Sequence, residues 1–177
     1  NHAHGATFVK VMKLLQSAGY YVRVVMLNSL NYGTPQSRER VFFICSKEDF
    51  QMKAPSAVDN KKVFKDVIDL DGPFREIIRN QRNDDKINMR GDFSYELIGS
   101  YDRVGTLTTQ YGCGNKAVVY GDWFRFLTTL ECERLQGFSD GWTNGLKDQD
   151  RYFALGNAVN CKVSDYLFGE YLKGVWF

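Results

Sequence analysis

The sequence predicts an α/β protein: a partial mixed sheet with helices from both ends of the chain, interrupted by a small, irregular, β-rich region. Three observations predict it. Helical periodicity occurs near the start, in Phe8, Val11, Met12 and Leu15, and again near the end, in Val159, Val163, Tyr166, Leu167 and Tyr171. Two short runs rich in valine and aromatic residues, Tyr21–Leu27 and Val41–Ser46, follow the first periodic segment. Residues 54–104 lose that regularity and hold Pro55, Gly72, Pro73, Gly91 and Gly99 among short apolar pieces. A regular, irregular, regular order is that of one domain interrupted by a second.

Each element has a local reason. Residues 6–18 read as a helix with one buried face, and Gly19 is its stop. Tyr21–Leu27 and Val41–Ser46 read as strands. The polar connection between them, residues 28–40, is longer than a hairpin requires, and long connections on rigid scaffolds often carry function. Thr128-Thr-Leu-Glu131 matches a capping box, in which the threonine hydroxyl and the glutamate carboxylate each satisfy a free backbone N–H. Leu127 and Cys132 complete it as a hydrophobic staple, and Gly137 ends this short helix. A loop is then expected through Asp150, with Asn157 capping the final helix.

Composition excludes several classes. The chain has 177 residues, 44% hydrophobic and 15% aromatic, which is ample for a core and excludes global disorder. No apolar run approaches the roughly 18–20 residues of a membrane span. The opening residues lack the charged-then-apolar order of a signal peptide. The four cysteines form no CxxC pair and read as reduced thiols of a cytoplasmic protein. Lys and Arg total 23 against 21 Asp and Glu, so any nucleic-acid binding must come from local arrangement rather than bulk charge. His2 and His4 read as part of a terminus, and no metal-ligand spacing or glycine-rich nucleotide loop occurs.

Four local groups could carry chemistry. In Pro35-Gln-Ser-Arg-Glu-Arg40, the side chains of Gln36, Arg38 and Arg40 alternate just before a strand, which would place them on one face. Such a face suits a phosphate, a carboxylate or a base edge; a solvated strand end with surface ion pairs is the plainer account. Gly156-Asn-Ala-Val159 would offer free N–H groups if it opened a helix. Thr106-Leu-Thr-Thr-Gln-Tyr-Gly112 mixes hydroxyls, an amide and glycine, and fits either a groove-facing loop or an ordinary turn. Glu131, Glu133 and Arg134 are explained locally by capping and surface pairing.

Taken together and in this order, the stretches resemble the C-terminal half of DNA (cytosine-5)-methyltransferases. Leu27–Ile44 resembles motif VIII with its approach strand, Leu127–Phe138 resembles motif IX, and Arg151–Val159 resembles motif X. The opening Asn1–Phe8 resembles the segment that follows the family's Glu-Asn-Val motif. The middle resembles no shared motif, as expected where the family's variable target-recognition domain lies. Thr129 and Ser139 stand where the family often has proline, as does the Cys161-Lys162 stretch. The family's Gly-rich cofactor loop, Pro-Cys nucleophile motif and Glu-Asn-Val motif are not in these residues, and no cysteine here matches the nucleophile.

The resemblance implies a partial Rossmann-like, S-adenosylmethionine-dependent methyltransferase sheet. Residues 1–53 would belong to the catalytic domain, 54–126 to the target-recognition domain, and 127–177 would return to the catalytic domain. In the family a cysteine thiolate attacks C6 of a cytosine flipped out of the duplex, and C5 accepts the methyl group. Arg40 would then reach the cytosine O2, Arg38 would support the pocket and a phosphate, and Gln36 would order the turn. Asn157, Ala158 and Val159 would border the methionine end of S-adenosyl-L-methionine, whose site is completed by an N-terminal part. Glu131 and Arg134 would organise the recognition domain. Thr106, Thr108, Gln110 and Gly112, with Arg79, Arg82, Lys86 and Arg90, would meet DNA. The implied partners are duplex DNA and an N-terminal catalytic half, from the same gene or as a separate subunit, with no membrane. The chain is then expected to be a piece of a longer enzyme or the smaller subunit of a split one. It would be inactive alone, and would work in the cytoplasm of a bacterium or phage-infected cell, near the nucleoid. An RNA methyltransferase of the same fold and a non-catalytic DNA-binding module are the other readings.

Overall fold

The computed structural model describes residues 5–76, 96–114, 116–120 and 123–175. Helix α1 (Ala6–Ser17) leads into an antiparallel pair, β1 (Tyr21–Asn28) and β2 (Glu39–Ser46). The pair is in continuous register from Tyr21 opposite Ser46 to Asn28 opposite Glu39. Gly19 ends α1 in the left-handed region at φ +77°, as its position predicts. The periodic face of α1 is only partly covered among the described residues. Phe8, at 43% exposure, meets the Phe43 ring at 5.4 Å, while Val11, Met12 and Leu15 are half-buried.

The connection from β1 to β2 is closed on itself. Asn28 accepts the backbone N–H groups of Leu30 and Arg38 on its side-chain oxygen, and Ser29 donates its hydroxyl to the Gln36 carbonyl at 2.6 Å. A single 3-10 turn, Ser29–Tyr32, precedes Gly33, which takes φ +89°. A long polar connection thus becomes a rigid one, because its own side chains satisfy its backbone.

A second, four-stranded sheet has the order β3 (Arg75–Glu76), β6 (Trp123–Phe126), β5 (Lys116–Tyr120), β4 (Glu96–Ile98). Its β4–β5 pair is parallel and the others are antiparallel. Helices α2 (Thr129–Gln136), α3 (Asp148–Asn157) and α4 (Cys161–Val175) follow. The capping box forms as expected: Thr128 accepts Glu131 N–H, Glu131 accepts Thr128 N–H, and Gly137 closes α2 at φ +79°.

Two expectations are corrected. The loop expected through Asp150 is shorter, because α3 already starts at Asp148, with Asp148 and Asp150 in its first turn facing the positive end of the helix dipole. Asn157 does not cap α4; it is the last residue of α3, and Asn160 is the cap, accepting the N–H groups of Lys162 and Val163.

The larger core joins Phe64, Ile98, Val104, Leu107 and Val118 to Leu127, Leu135, Tyr152 and Leu155. It therefore draws on residues from both sides of position 126. Helix α4 packs instead on the first sheet, where Leu27, Tyr32 and Val163 form a smaller core flanked by Phe42 and Leu167. Among the described residues no helix is long and apolar enough to cross a membrane, and no cluster of three or more His, Cys, Asp or Glu side chains suits a metal ion.

Candidate active-site cleft

The start of β2 and the α3–α4 junction face each other across a cleft of about 300 Å³. Leu27, Phe42 and Val163 form its apolar wall, Arg38 and Arg40 supply cationic donors, and Asn157, Ala158 and Val159 line the opposite side. A larger concavity of about 710 Å³ runs along α1, but its lining is Phe8, Val9 and Leu14 with Lys10 and Lys13 from one helix. Convergent polar groups from distant parts of the chain mark a site better than volume does.

The two arginines have different work. Arg38 is buried at 7% exposure; it donates to the Leu107 carbonyl at 3.1 Å and to the Gly156 carbonyl at 2.9 Å. Burial, and then the neighbouring Arg40 charge, pull its pKa down, yet a guanidinium remains protonated. Its two terminal nitrogens brace the cleft wall, while the side chain still lines the cleft. Arg40 is exposed and, among the described residues, donates to the Glu39 carbonyl at 2.7 Å through one terminal nitrogen, which leaves the rest of its fork available to a ligand at the rim. Gln36 does not share their face. It is fully buried away from the cleft, and its segment is stitched to Val104 through the Ser37 N–H to Val104 carbonyl bond at 2.7 Å and the Val104 N–H to Pro35 carbonyl bond at 2.8 Å. The two-residue period fails at Gln36 because its backbone forms a bridge with Val104, outside β2.

Gly156-Asn-Ala-Val159 lies at the end of α3, not at a helix start, so the expected free N–H groups are replaced by carbonyls. The loop 106–112 packs against this segment. Thr106 donates its hydroxyl to the Ser37 carbonyl, Leu107 is buried, and Thr108 and Gln110 are exposed. Gly112 is buried at φ +64°, and a Cβ there would meet the Phe126 Cβ at 2.8 Å. It shapes the turn and does not face solvent, which corrects its expected contact with DNA. Arg79, Arg82, Lys86 and Arg90 lie outside the described residues.

Glu131 and Arg134 reach toward the second sheet. Glu131, fully buried, accepts both Arg125 terminal nitrogens at 2.6 and 2.7 Å and the Asp69 N–H at 2.9 Å. Arg134 donates to the carbonyls of Val67 and Ile68 and pairs with Asp140, an interaction that raises its pKa. Sequence reasoning missed Arg125 and Asn160, and its surface pairing for Glu133 is corrected by that side chain's full burial. Buried Glu133 accepts from the Gly141 N–H, the Thr143 N–H and hydroxyl, and Arg151, and so closes the α2–α3 loop. Asn160 had a signal, a cap-forming side chain just before α4. Arg125 had none beyond its charge within an aromatic strand.

A family model for C-5 cytosine-specific DNA methylases matches residues 1–122 and 106–173. The type II methyltransferase M.MthTI of Methanothermobacter thermautotrophicus is 30% identical over 201 residues, covering 94% of this chain and 61% of that protein. M1.ScrFI of Lactococcus lactis subsp. cremoris is 27% identical, over 89% of this chain and 45% of its own length. The chain thus spans about half of the curated relatives it matches. Among solved structures, the S. pombe Dnmt2 methyltransferase superposes with a TM-score of 0.77 at 18% identity, covering all of this chain and 63% of that one. The Entamoeba histolytica methyltransferase EhMeth superposes at 0.67 with 19% identity, over 93% of this chain and 58% of that one. At such identities the superpositions speak for a shared methyltransferase fold alone. The family match over most of the chain, with motif-bearing segments meeting at one cleft, leads to one conclusion: the chain belongs to the C-5 cytosine-specific DNA methylase family.

Proposed function

We propose that this chain supplies target recognition and part of the base and cofactor pocket of a DNA (cytosine-5)-methyltransferase, in which a methyl group passes from S-adenosylmethionine to C5 of a flipped cytosine in duplex DNA. The observation that carries this reading is the meeting of Arg38 and Arg40 with Asn157–Val159 across one cleft. In this reading residues 1–53 and 127–177 belong to the catalytic domain and the region between them is the recognition domain.

The exposed fork of Arg40 donates to the cytosine O2 and opposes the charge that develops when C6 is attacked. Arg38 holds the wall behind it. Leu27, Phe42 and Val163 keep that side of the pocket dry, which strengthens the hydrogen bond. The donor chemistry fits one end of the cofactor only. Asn157 offers an exposed amide beside Val159, suited to an amino-acid group, and the described lining of the cleft holds no carboxylate for a ribose diol. When bound, S-adenosylmethionine supplies the electrophilic methyl group.

None of the four cysteines is poised as the nucleophile. Cys45 lies within β2. Cys113 and Cys132 are fully buried, and burial pushes the Cys132 thiol well up. Burial also raises the Cys161 thiol. A reactive thiolate needs the opposite environment. The nucleophile therefore comes from residues other than these, and the chain alone does not methylate. The type II methyltransferase likeness favours a role in restriction–modification, in the cytoplasm near the nucleoid.

The test is labelled-methyl transfer from S-adenosylmethionine to mixed-sequence duplex DNA, by the chain alone and together with the protein encoded directly upstream. Transfer in the mixture only is expected. Turnover by the isolated chain would overturn the division of labour, and transfer to tRNA but not to DNA would overturn the substrate.

A further inference from the structure

Three dipeptides place a glycine directly after a carboxylate or amide side chain: Asp71-Gly72, Asp140-Gly141 and Asn144-Gly145. At such a pair the glycine nitrogen can reach the preceding side-chain carbonyl carbon, because glycine carries no Cβ to obstruct the approach. The fold treats the three differently. The Gly72 N–H donates to the Asp69 carbonyl at 3.3 Å, and a Cβ there would lie 2.8 Å from the Arg125 Nε, so this glycine is buried and held. The Gly141 N–H donates to the Glu133 carboxylate at 2.7 Å, and both Asp140 oxygens are engaged by Arg134 at 2.9 and 2.6 Å. Asn144-Gly145 has neither restraint. Both residues are exposed, Gly145 takes φ +92°, and nothing lies within 4 Å of where its Cβ would be. Among the described residues the Gly145 N–H meets no hydrogen-bond acceptor.

We propose that Asn144 is a site of spontaneous covalent modification, converted by water to aspartate or isoaspartate, and that the fold withholds Asp71 and Asp140 from the equivalent ring closure. The proposal goes beyond the methyltransferase reading and does not depend on it. The Gly145 nitrogen attacks the Asn144 Cγ. The new N–Cγ bond forms as the Cγ–Nδ2 bond breaks, and the proton of the Gly145 nitrogen leaves with the amide as ammonia, closing a five-membered succinimide. Water then opens that ring at either carbonyl, giving aspartate or its isomer, in which the main chain runs through the former side-chain carbon. Nothing is oxidised or reduced, and water is the one co-reactant. The product adds a negative charge beside Thr143, whose N–H and hydroxyl hold the Glu133 carboxylate that closes the α2–α3 loop.

The experiment incubates the chain, assembled with the protein encoded directly upstream, in warm neutral buffer, native and in urea, and follows tryptic peptides by mass spectrometry over time. Residues 135–147 form one tryptic peptide that holds both Asp140 and Asn144, so the two positions are compared within the same molecules. Fragment ions locate the mass shift of amide-to-acid exchange at position 144, and separately eluting isoaspartyl peptides report Asp140 and Asp71. Where reaction needs no local opening, native and unfolded rates agree within about 3-fold, as expected for Asn144; where opening must come first, the native rate falls about 10-fold or more, as expected for Asp140 and Asp71. Asn144→Gln lengthens an exposed side chain by one carbon, which disfavours the five-membered ring, and is expected to abolish the shift at that position. An unchanged Asn144 in the native protein overturns the proposal. So does an equal ratio of native to unfolded rates at all three positions, or a shift at position 144 that persists in Asn144→Gln.

Discussion

Replacing Arg125 by methionine tests a buried ion pair, Arg125 with Glu131. The Glu131 carboxylate is fully buried and accepts four donors: two Arg125 nitrogens, the Asp69 N–H and the Thr128 N–H. Arg125→Met keeps the volume and removes the two charged donors. Hydrogen bonds to charged groups contribute about 1.5–3 kcal/mol each, and stripping one partner from a buried pair costs about 3–5 kcal/mol. The variant should therefore lose about 4 kcal/mol, much of a typical domain's 5–15. Arg125→Met combined with Glu131→Gln removes the stranded charge while one amide oxygen still accepts a backbone N–H, and should recover about 2 kcal/mol of that loss. Urea unfolding followed by the fluorescence of Trp123 and Trp142 reads both. A loss below about 1 kcal/mol in the single variant, or simple additivity in the double variant, would refute the reasoning, since contacting residues in one network should couple.

Three further predictions follow from the same geometry. Hydrogen bonds from Thr143, Gly141 and Arg151 overcome burial and hold the Glu133 carboxyl below its ordinary 4.5. Its stabilising contribution is then present above that value and lost as the pH falls below it, so melting curves from pH 6 to 3 should be flatter for Glu133→Gln than for the parent, and parallel curves would contradict this. Arg40→Ala should lower the methyl-transfer rate of the complete enzyme about 10²-fold with an unchanged melting temperature, whereas Arg38→Ala should lower both, because it abandons two buried carbonyls; matched melting temperatures would remove the distinction between rim and wall. Asn160→Ala removes the cap of α4 and the bonds to the Leu135 carbonyl and the Thr34 hydroxyl. It should cost about 2 kcal/mol in a denaturant titration, the upper end for a cap, and a cost of a few tenths would show the cap to be dispensable.

Elements held together by neighbours were readable from the chain. Helical periodicity located α1, runs rich in valine and aromatic residues located β1 and β2, and Thr128-Thr-Leu-Glu131 located α2 with its capping box, because these signals lie within a few residues of each other. The α3–α4 boundary was misplaced by one helical turn. Asn157 and Asn160 are both competent caps, and the choice between them is made by Gln136 and Arg38 holding the end of α3, not by the asparagines themselves.

By itself the sequence determined the order of the elements, the family and the motif residues, since local hydrogen bonding and motif spacing are written in side-chain identity. Only the tertiary structure decided how the motif residues divide their work. It buried Gln36 away from the cleft, turned Arg38 into a brace, left Arg40 free at the rim, and set Gly112 under Phe126 rather than toward a ligand. The physical reason is visible in Arg38, whose partners are backbone carbonyls 69 and 118 positions away. Every residue carries a carbonyl, so nothing in the sequence marks which two a buried guanidinium will find; only the packing of the chain brings them within reach.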